Sequence, residues 1–310
     1  MEFFKGHVTG TLTIPEPIHT HTHTHGGHHH GPTALPPPPG HLPPFHVHRE
    51  HIGRSGMRAL WVIFAMFTIS VVLTVILAKR VERKFRLFHL ITGAILVCAH
   101  ASYLVMACGM GVTYVRTFKH AADGAPVLRQ VFYARYVDWA ITTPLLLLDL
   151  CLLAGVPKIQ TVTIIFADLV MILMGLFAAL QQGSERSRWF MYAVSNAFFL
   201  VVLYGVVVNG RQAASLQASN VKRVFNVTSG MTVLLWIGYP IVFALTEGAA
   251  KISVDAEVIA YGVLDVFAKI VFGFYLLLAH SHSDGDSVVL PESWTEPRGG
   301  SRYGAIASDD

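Results

Sequence analysis

Lys269 stands inside the last long apolar run of the chain, with Asp265 four residues before it. On a helix that spacing places both side chains on one face, about one turn apart. A free ammonium at bilayer depth is strongly destabilised and escapes by shedding its charge or by covalent use. Lysine in a dry pocket is the side chain that forms Schiff bases with carbonyl compounds. A protonated Schiff base needs counterions, which Asp265 in cis and Asp138 on another helix could supply. If the last helix stood alone, a buried Lys269–Asp265 salt bridge would be the simpler reading.

The run holding Asp138 reads Tyr133-Ala134-Arg135-Tyr136-Val137-Asp138-Trp139-Ala140-Ile141-Thr142-Thr143-Pro144-Leu145-Leu146-Leu147-Leu148-Asp149. At roughly 100° per residue, Arg135, Asp138, Thr142 and Asp149 fall within a sector of about 60°. The rise from Asp138 to Asp149 is about 16 Å, too far for the two to share a proton directly. Structural carboxylates bonded to neighbouring helices would account for such a pair. An arginine at one end and a second acid three turns deeper look more like a relay for charge. Asp149 is flanked by Leu145–Leu148, Leu152 and Leu153, which disfavours its charged form. Asp168, in the next run, needs no more than a protonated carboxyl bonded to a neighbouring helix. Trp236, Tyr239, Pro240 and Phe243 line one face of a further run. With Trp139 they could wall an elongated apolar slot, although such stripes are more often core packing.

These residues must be positioned by membrane-spanning helices. The 310 residues are 53% hydrophobic and 14% charged, against about 25% charged in a soluble globular protein. Mean hydropathy is +0.51. A soluble enzyme, a nucleic-acid binder and a disordered chain are all excluded on that balance, because the 23 basic residues are scattered between apolar runs rather than clustered. Cys98, Cys108 and Cys151 lie within apolar stretches and read as three buried thiols rather than a disulfide framework. Runs at about 58–79, 86–110, 128–152, 158–181, 188–208, 222–246 and 254–280 are each near the roughly 20 residues that cross a bilayer. The fold class is therefore all-α, a seven-helix transmembrane bundle over residues 56–281.

Residues 1–55 carry 12 of the 17 histidines and 9 of the 15 prolines. That composition buries no core, so a disordered tail is expected. Metal binding by its histidines is the alternative, and no metal site is read elsewhere. No cleavable leader is read in the first 20 residues. The first loop holds Lys79, Arg80, Arg83, Lys84 and Arg86, against Arg54 and Arg58 before the first span. The positive-inside rule then puts that loop in the cytoplasm, the N-terminus outside and the tail 282–310 inside. The sequon Asn226-Val227-Thr228 falls on the cytoplasmic side and is discounted.

The run Arg135-Tyr136-Val137-Asp138-Trp139-Ala140-Ile141-Thr142-Thr143-Pro144, with Trp236-Ile237-Gly238-Tyr239-Pro240 and Leu264-Asp265-Val266-Phe267-Ala268-Lys269, resembles the microbial rhodopsins. Within them it is most similar to the fungal branch, over about residues 57–280. The resemblance implies all-trans retinal held by Lys269 as a protonated Schiff base. Asp138 would be primary counterion and proton acceptor, Asp265 the second counterion, with Arg135 and Tyr103 completing the cluster around it. Asp149 matches the internal proton donor, and Glu247 and Glu257 match an extracellular release pair. Trp139, Thr142, Thr143, Leu146, Met171, Gly175, Ser195, Trp236, Tyr239 and Pro240 match the retinal pocket. Tyr192 and Phe243 stand at pocket positions where the archaeal pump has tryptophan, and Leu146 is of the kind found in green-absorbing pigments.

The resemblance implies a light-driven outward proton pump in the plasma membrane, not an enzyme, with protons as cargo, lipid around it and room for a homo-oligomer. A photosensor on the same scaffold is the alternative, but it would not need the donor at Asp149. A chloride pump would lack a carboxylate at Asp138, since that anion repels the transported one. A seven-helix receptor coupled to G proteins is disfavoured by the Lys269–Asp265 spacing and the third-span stripe.

Overall fold

The computed structural model describes residues 47–82, 86–122 and 124–281. The expected tail up to residue 46, the segment from 282 onward and Arg83 and Lys84 of the first loop lie outside them. Seven helices of 21 to 30 residues are long and apolar enough to cross a membrane. They are α1 (Arg54–Arg80), α2 (Leu87–Ala107), α3 (Tyr133–Ala154), α4 (Lys158–Leu180), α5 (Glu185–Ala214), α6 (Ser219–Gly248) and α7 (Val254–Ala279). Large apolar side chains such as Ile69, Phe166, Phe190, Leu200 and Leu234 face outward, whereas Arg135, Asp138, Asp149, Asp168, Glu247, Glu257, Asp265 and Lys269 are buried. Apolar outside and ionisable inside is the arrangement that a lipid solvent selects.

Local sequence explains how the helices stop and bend. Gly155 takes φ 73°, a left-handed cap ending α3, and the Val156 N–H returns to Cys151 O at 2.8 Å. Pro157 then starts α4 on a new axis. Pro144 interrupts the ladder inside α3. The hydroxyls of Thr142 and Thr143 fold back onto the carbonyls of Asp138 and Trp139 at 2.9 and 2.7 Å beside it. Such hydroxyls help re-satisfy the backbone where proline disrupts a membrane helix. α7 opens on Ser253, whose Oγ accepts the Ala256 N–H at 3.2 Å. Three stretches widen to π-helix: Gly205–Gly210 in α5, Ala244–Gly248 in α6 and Val266–Val271 in α7. The last carries Lys269.

One end of the bundle is covered by a small sheet that the hydropathy pattern does not reveal. Its strands are β1 (His48–Glu50), β2 (Thr113–His120) and β3 (Pro126–Val131), in the order β1-β3-β2. β2 and β3 pair as an antiparallel hairpin, Thr113 opposite Val131 and Arg116 opposite Leu128. β1 runs parallel to β3, with Glu50 opposite Arg129. Of the three cysteines expected to be buried, Cys151 is buried, Cys98 is half-buried and Cys108, in the turn that ends α2, is exposed. Two boundaries are also corrected. The third span begins at Tyr133 rather than about 128, because Val127–Val131 are committed to cross-strand pairing. Residues 48–50 of the expected tail form a strand, and α1 starts at Arg54, where Asp255 Oδ1 accepts the Gly53 N–H at 2.5 Å and Oδ2 accepts the Ser55 hydroxyl at 2.7 Å.

Candidate functional site

Lys269 Nζ lies between two carboxylates. It contacts Asp138 Oδ2 across the bundle and Asp265 Oδ1 at 3.2 Å one turn back on α7. All three side chains are sealed from solvent. Asp265 is held on both oxygens: Tyr103 donates to Oδ2 at 2.7 Å, while Tyr239 and Trp139 Nε1 donate to Oδ1 at 2.8 and 3.4 Å. Asp138 is held differently. Lys269 is its partner on Oδ2, and Oδ1 has no hydrogen-bond partner among the described residues. Asp265 is thus held by three side-chain donors, while Asp138 faces the lysine with acceptor capacity to spare.

Lys269 also opens onto a cavity between α3, α4, α5, α6 and α7. Its lining includes the expected Trp139, Thr143, Leu146, Met171, Gly175, Tyr192, Ser195, Trp236, Tyr239, Pro240 and Phe243, and adds Tyr136, Asn196, Phe199 and Tyr261. Trp139 meets Tyr239 edge to face at 5.2 Å, and Tyr192 stacks on Phe243 at 5.1 Å. Tyr192 Oη donates to Pro240 O and Ser195 Oγ to Met171 O, turning those polar atoms onto backbone. Thr142 does not line the cavity; its hydroxyl is used by Asp138 O. Tyr103 lies behind Asp265 rather than on the lining. An apolar, aromatic-walled slot with one amine at its surface suits a long conjugated aldehyde better than a polar metabolite.

Asp149 sits apart. It is 0% exposed, and its Oδ2 accepts from the Thr92 hydroxyl at 3.3 Å. Leu146, Leu147, Leu150, Leu152 and Leu153 of the surrounding helix are buried in one apolar cluster with Phe88, Ile91 and Leu276. Asp168 meets the Thr143 hydroxyl at 2.7 Å, and that same hydroxyl is 2.7 Å from Trp139 O.

The end under the sheet holds a second charged cluster. Arg135, expected beside Asp265, turns the other way and donates to Glu257 Oε1 at 3.0 Å, with Glu247 Oε1 at 4.0 Å. Glu257 Oε2 is bound by Arg129 Nη2 at 2.8 Å. Glu247 accepts from Tyr136 at 3.2 Å and Tyr261 at 3.1 Å. Arg188 holds the wide turn at the end of α6 through Glu247 O at 2.9 Å, and reaches Gln181 O at 2.7 Å. Sequence reading passes over Arg129, Tyr261 and Arg188. Tyr261 was within reach, since Tyr261, Asp265 and Lys269 recur at four-residue steps on α7.

The model of the bacteriorhodopsin-like protein family matches residues 57–283. The chain belongs to that family. Opsin-1 of Neurospora crassa is 40% identical over 271 residues, covering 85% of this chain and 86% of that protein. The structure of a light-driven proton pump from Leptosphaeria maculans matches this bacteriorhodopsin-like protein with a TM-score of 0.73 and 41% identity, over 76% of this chain and 99% of the other. A structure of halorhodopsin, a light-driven chloride pump, matches with a TM-score of 0.69 and 36% identity, over 75% and 98% of the two chains. Proteins of the family bind retinal, and these neighbours are ion pumps rather than enzymes. With seven apolar helices, this family member is a multi-pass integral membrane protein.

Proposed function

We propose that this protein is a light-driven outward proton pump of the plasma membrane, with retinal attached to Lys269 and the sheet-covered end outside. One observation carries the reading: α3 presents Asp138 to Lys269 and, on the same face, buries Asp149 among leucines with the Thr92 hydroxyl beside it. A transported chloride would be repelled by a carboxylate at Asp138. The cavity residues Trp139, Leu146, Trp236 and Tyr239 would clasp the chromophore, and Ser195 and Thr143 already spend their hydroxyls elsewhere.

Bound retinal supplies light absorption and an isomerisation that changes the proton affinity at Lys269 Nζ. The chain does the rest. Asp138 Oδ2 takes the proton from Nζ, so an N–H bond breaks and an O–H bond forms, leaving an uncharged pair in a dry centre. Asp265 stays in place as the second counterion, held by Tyr103, Tyr239 and Trp139. Asp149, neutral because a lone charge among leucines is costly, returns a proton to Nζ and is refilled from the inside. Glu247 and Glu257, gathered by Arg135, release a proton to the outside and are refilled by Asp138, whose O–H bond breaks to restore its carboxylate.

The test is the pH of an unbuffered suspension of illuminated cells expressing the protein with retinal. Acidification abolished by a protonophore is expected. A steady pH alongside an intact visible band would transfer the reading to a photosensor.

A further inference from the structure

The exit cluster does not end at Glu257. Arg129 divides its guanidinium: Nη2 binds Glu257 Oε2 at 2.8 Å, and Nη1 binds Glu50 Oε2 at 3.0 Å and Ile252 O at 2.9 Å. Arg135, Glu257, Arg129 and Glu50 therefore form one alternating row of charges. Burial falls along it in a single step. The side chains of Arg135, Glu257 and Arg129 are 2%, 0% and 2% exposed, and that of Glu50 is 38% exposed. Glu50 also lines an open recess with Arg49, His51 and Lys119.

The position of Glu50 is built rather than incidental. It is the register partner of Arg129 across the parallel β1–β3 pair. The strand is pinned just beyond it, where the Ile52 N–H donates to Gln130 Oε1 at 2.8 Å and the Gly53 N–H to Asp255. Oppositely charged partners in register support each other across strands, and Arg129 binds carboxylates on two sides with a fixed fork.

We propose that Glu50 is a third carboxylate of the proton-exit site, a positioning residue that acts through Arg129 on Glu257 and so sets the pH range in which the proton leaves early in the cycle. The inference rests on the pump reading. Glu50 shares Arg129 with Glu257 and moderates the positive potential that Arg129 casts on it. The groups facing Glu257 are Arg129 from β3, Arg135 and Tyr136 from α3, Glu247 from α6 and Tyr261 from α7, with Glu50 behind Arg129. When Glu50 is neutral, Arg129 favours the anion of Glu257 more strongly. The cluster then gives up its proton at lower pH.

A single-turnover flash experiment on the full chain with retinal, followed by a pH-sensitive dye in bulk solvent, tests this. Glu50→Gln should move the range of early release downward by roughly one unit, a tenfold change in proton activity, and Glu50→Asp should restore it. In an Arg129→Gln background, Glu50→Gln should add no further shift, as coupling through Arg129 requires. An intact visible band in each variant reports a folded protein. If wild type pumps outward and Glu50→Gln leaves the range where it was, or if the shift persists at full size without Arg129, the assignment of Glu50 is wrong. Absence of net transport by wild type would instead defeat the pump reading itself.

Discussion

The guanidinium of Arg135 lies 4.3 Å from the ring centroid of Tyr261. That ring lines the aromatic-walled cavity on one side, meets Trp139 edge to face at 5.2 Å, and donates its hydroxyl to Glu247. Tyr261 is thus the wall shared by the cavity and the Arg135–Glu247–Glu257 cluster, and a cation above an aromatic face is held by the ring's quadrupole.

Tyr261→Phe keeps the ring under Arg135 and removes the bond to Glu247. Loss of one buried hydrogen bond should cost about 1 kcal/mol, read as a lower temperature of thermal bleaching. Proton release should also change its timing relative to wild type, while the visible band stays nearly in place. Identical release kinetics would confine Tyr261 to packing.

Lys269→Ala should abolish the visible band, since Lys269 is the one lysine on the cavity lining among the described residues. A surviving band after reconstitution with retinal would mean attachment elsewhere.

Asp138→Asn should red-shift the band and end transport. Removing the counterion that touches Nζ narrows the gap between ground and excited states and takes away the acceptor. Unchanged colour would pass the role of primary counterion to Asp265, which keeps its own three donors in that variant.

Asp149→Asn should leave the colour of the dark protein nearly unaltered. Return of the proton to Lys269 Nζ should slow by roughly a hundredfold, the usual scale for losing a positioned acid, and its rate should follow bulk pH. Flash photolysis between about pH 5 and 8 distinguishes the cases; equal, pH-independent rates in both proteins would remove Asp149 from the relay.

Gly111→Ala should destabilise the junction between α2 and the hairpin. Gly111 has φ 66°, and a Cβ there would stand 2.4 Å from Ala134 Cβ. Strain and overpacking together should cost about 1–3 kcal/mol, measured as earlier thermal loss of the band.

The helices and the lysine pair were legible because a single period, 3.6 residues, governs both. Apolar length marks each span, and a four-residue step puts Asp265 and Lys269 together. Sheet pairing leaves no such mark here. Val127, Leu128 and Val131 are apolar enough to extend a span, so Arg129 was absorbed into the supposed start of α3. Glu50 was hidden by its neighbours, since the histidines and prolines before it set the composition of the whole segment. The direction of Arg135 was also beyond the pattern. Its helical azimuth is shared with Asp138, but its long side chain reaches toward the sheet, where Glu257 waits on another helix. The three wide turns leave no trace in hydropathy at all.

The wide turn Val266–Val271 divides α7 into two rods with separate azimuths. A π turn closes i→i+5 bonds and so holds an extra residue, which rotates everything after it relative to everything before. The first rod directs Glu257, Tyr261 and Asp265 inward. The second lays Phe272, Leu276 and Leu277 into the leucine-rich cluster around Asp149. In one uninterrupted helix, any adjustment that tuned the exit side would also turn the apolar seal on the other. With the slip between them, each half can drift in sequence without disturbing the other, and Lys269 sits at the joint.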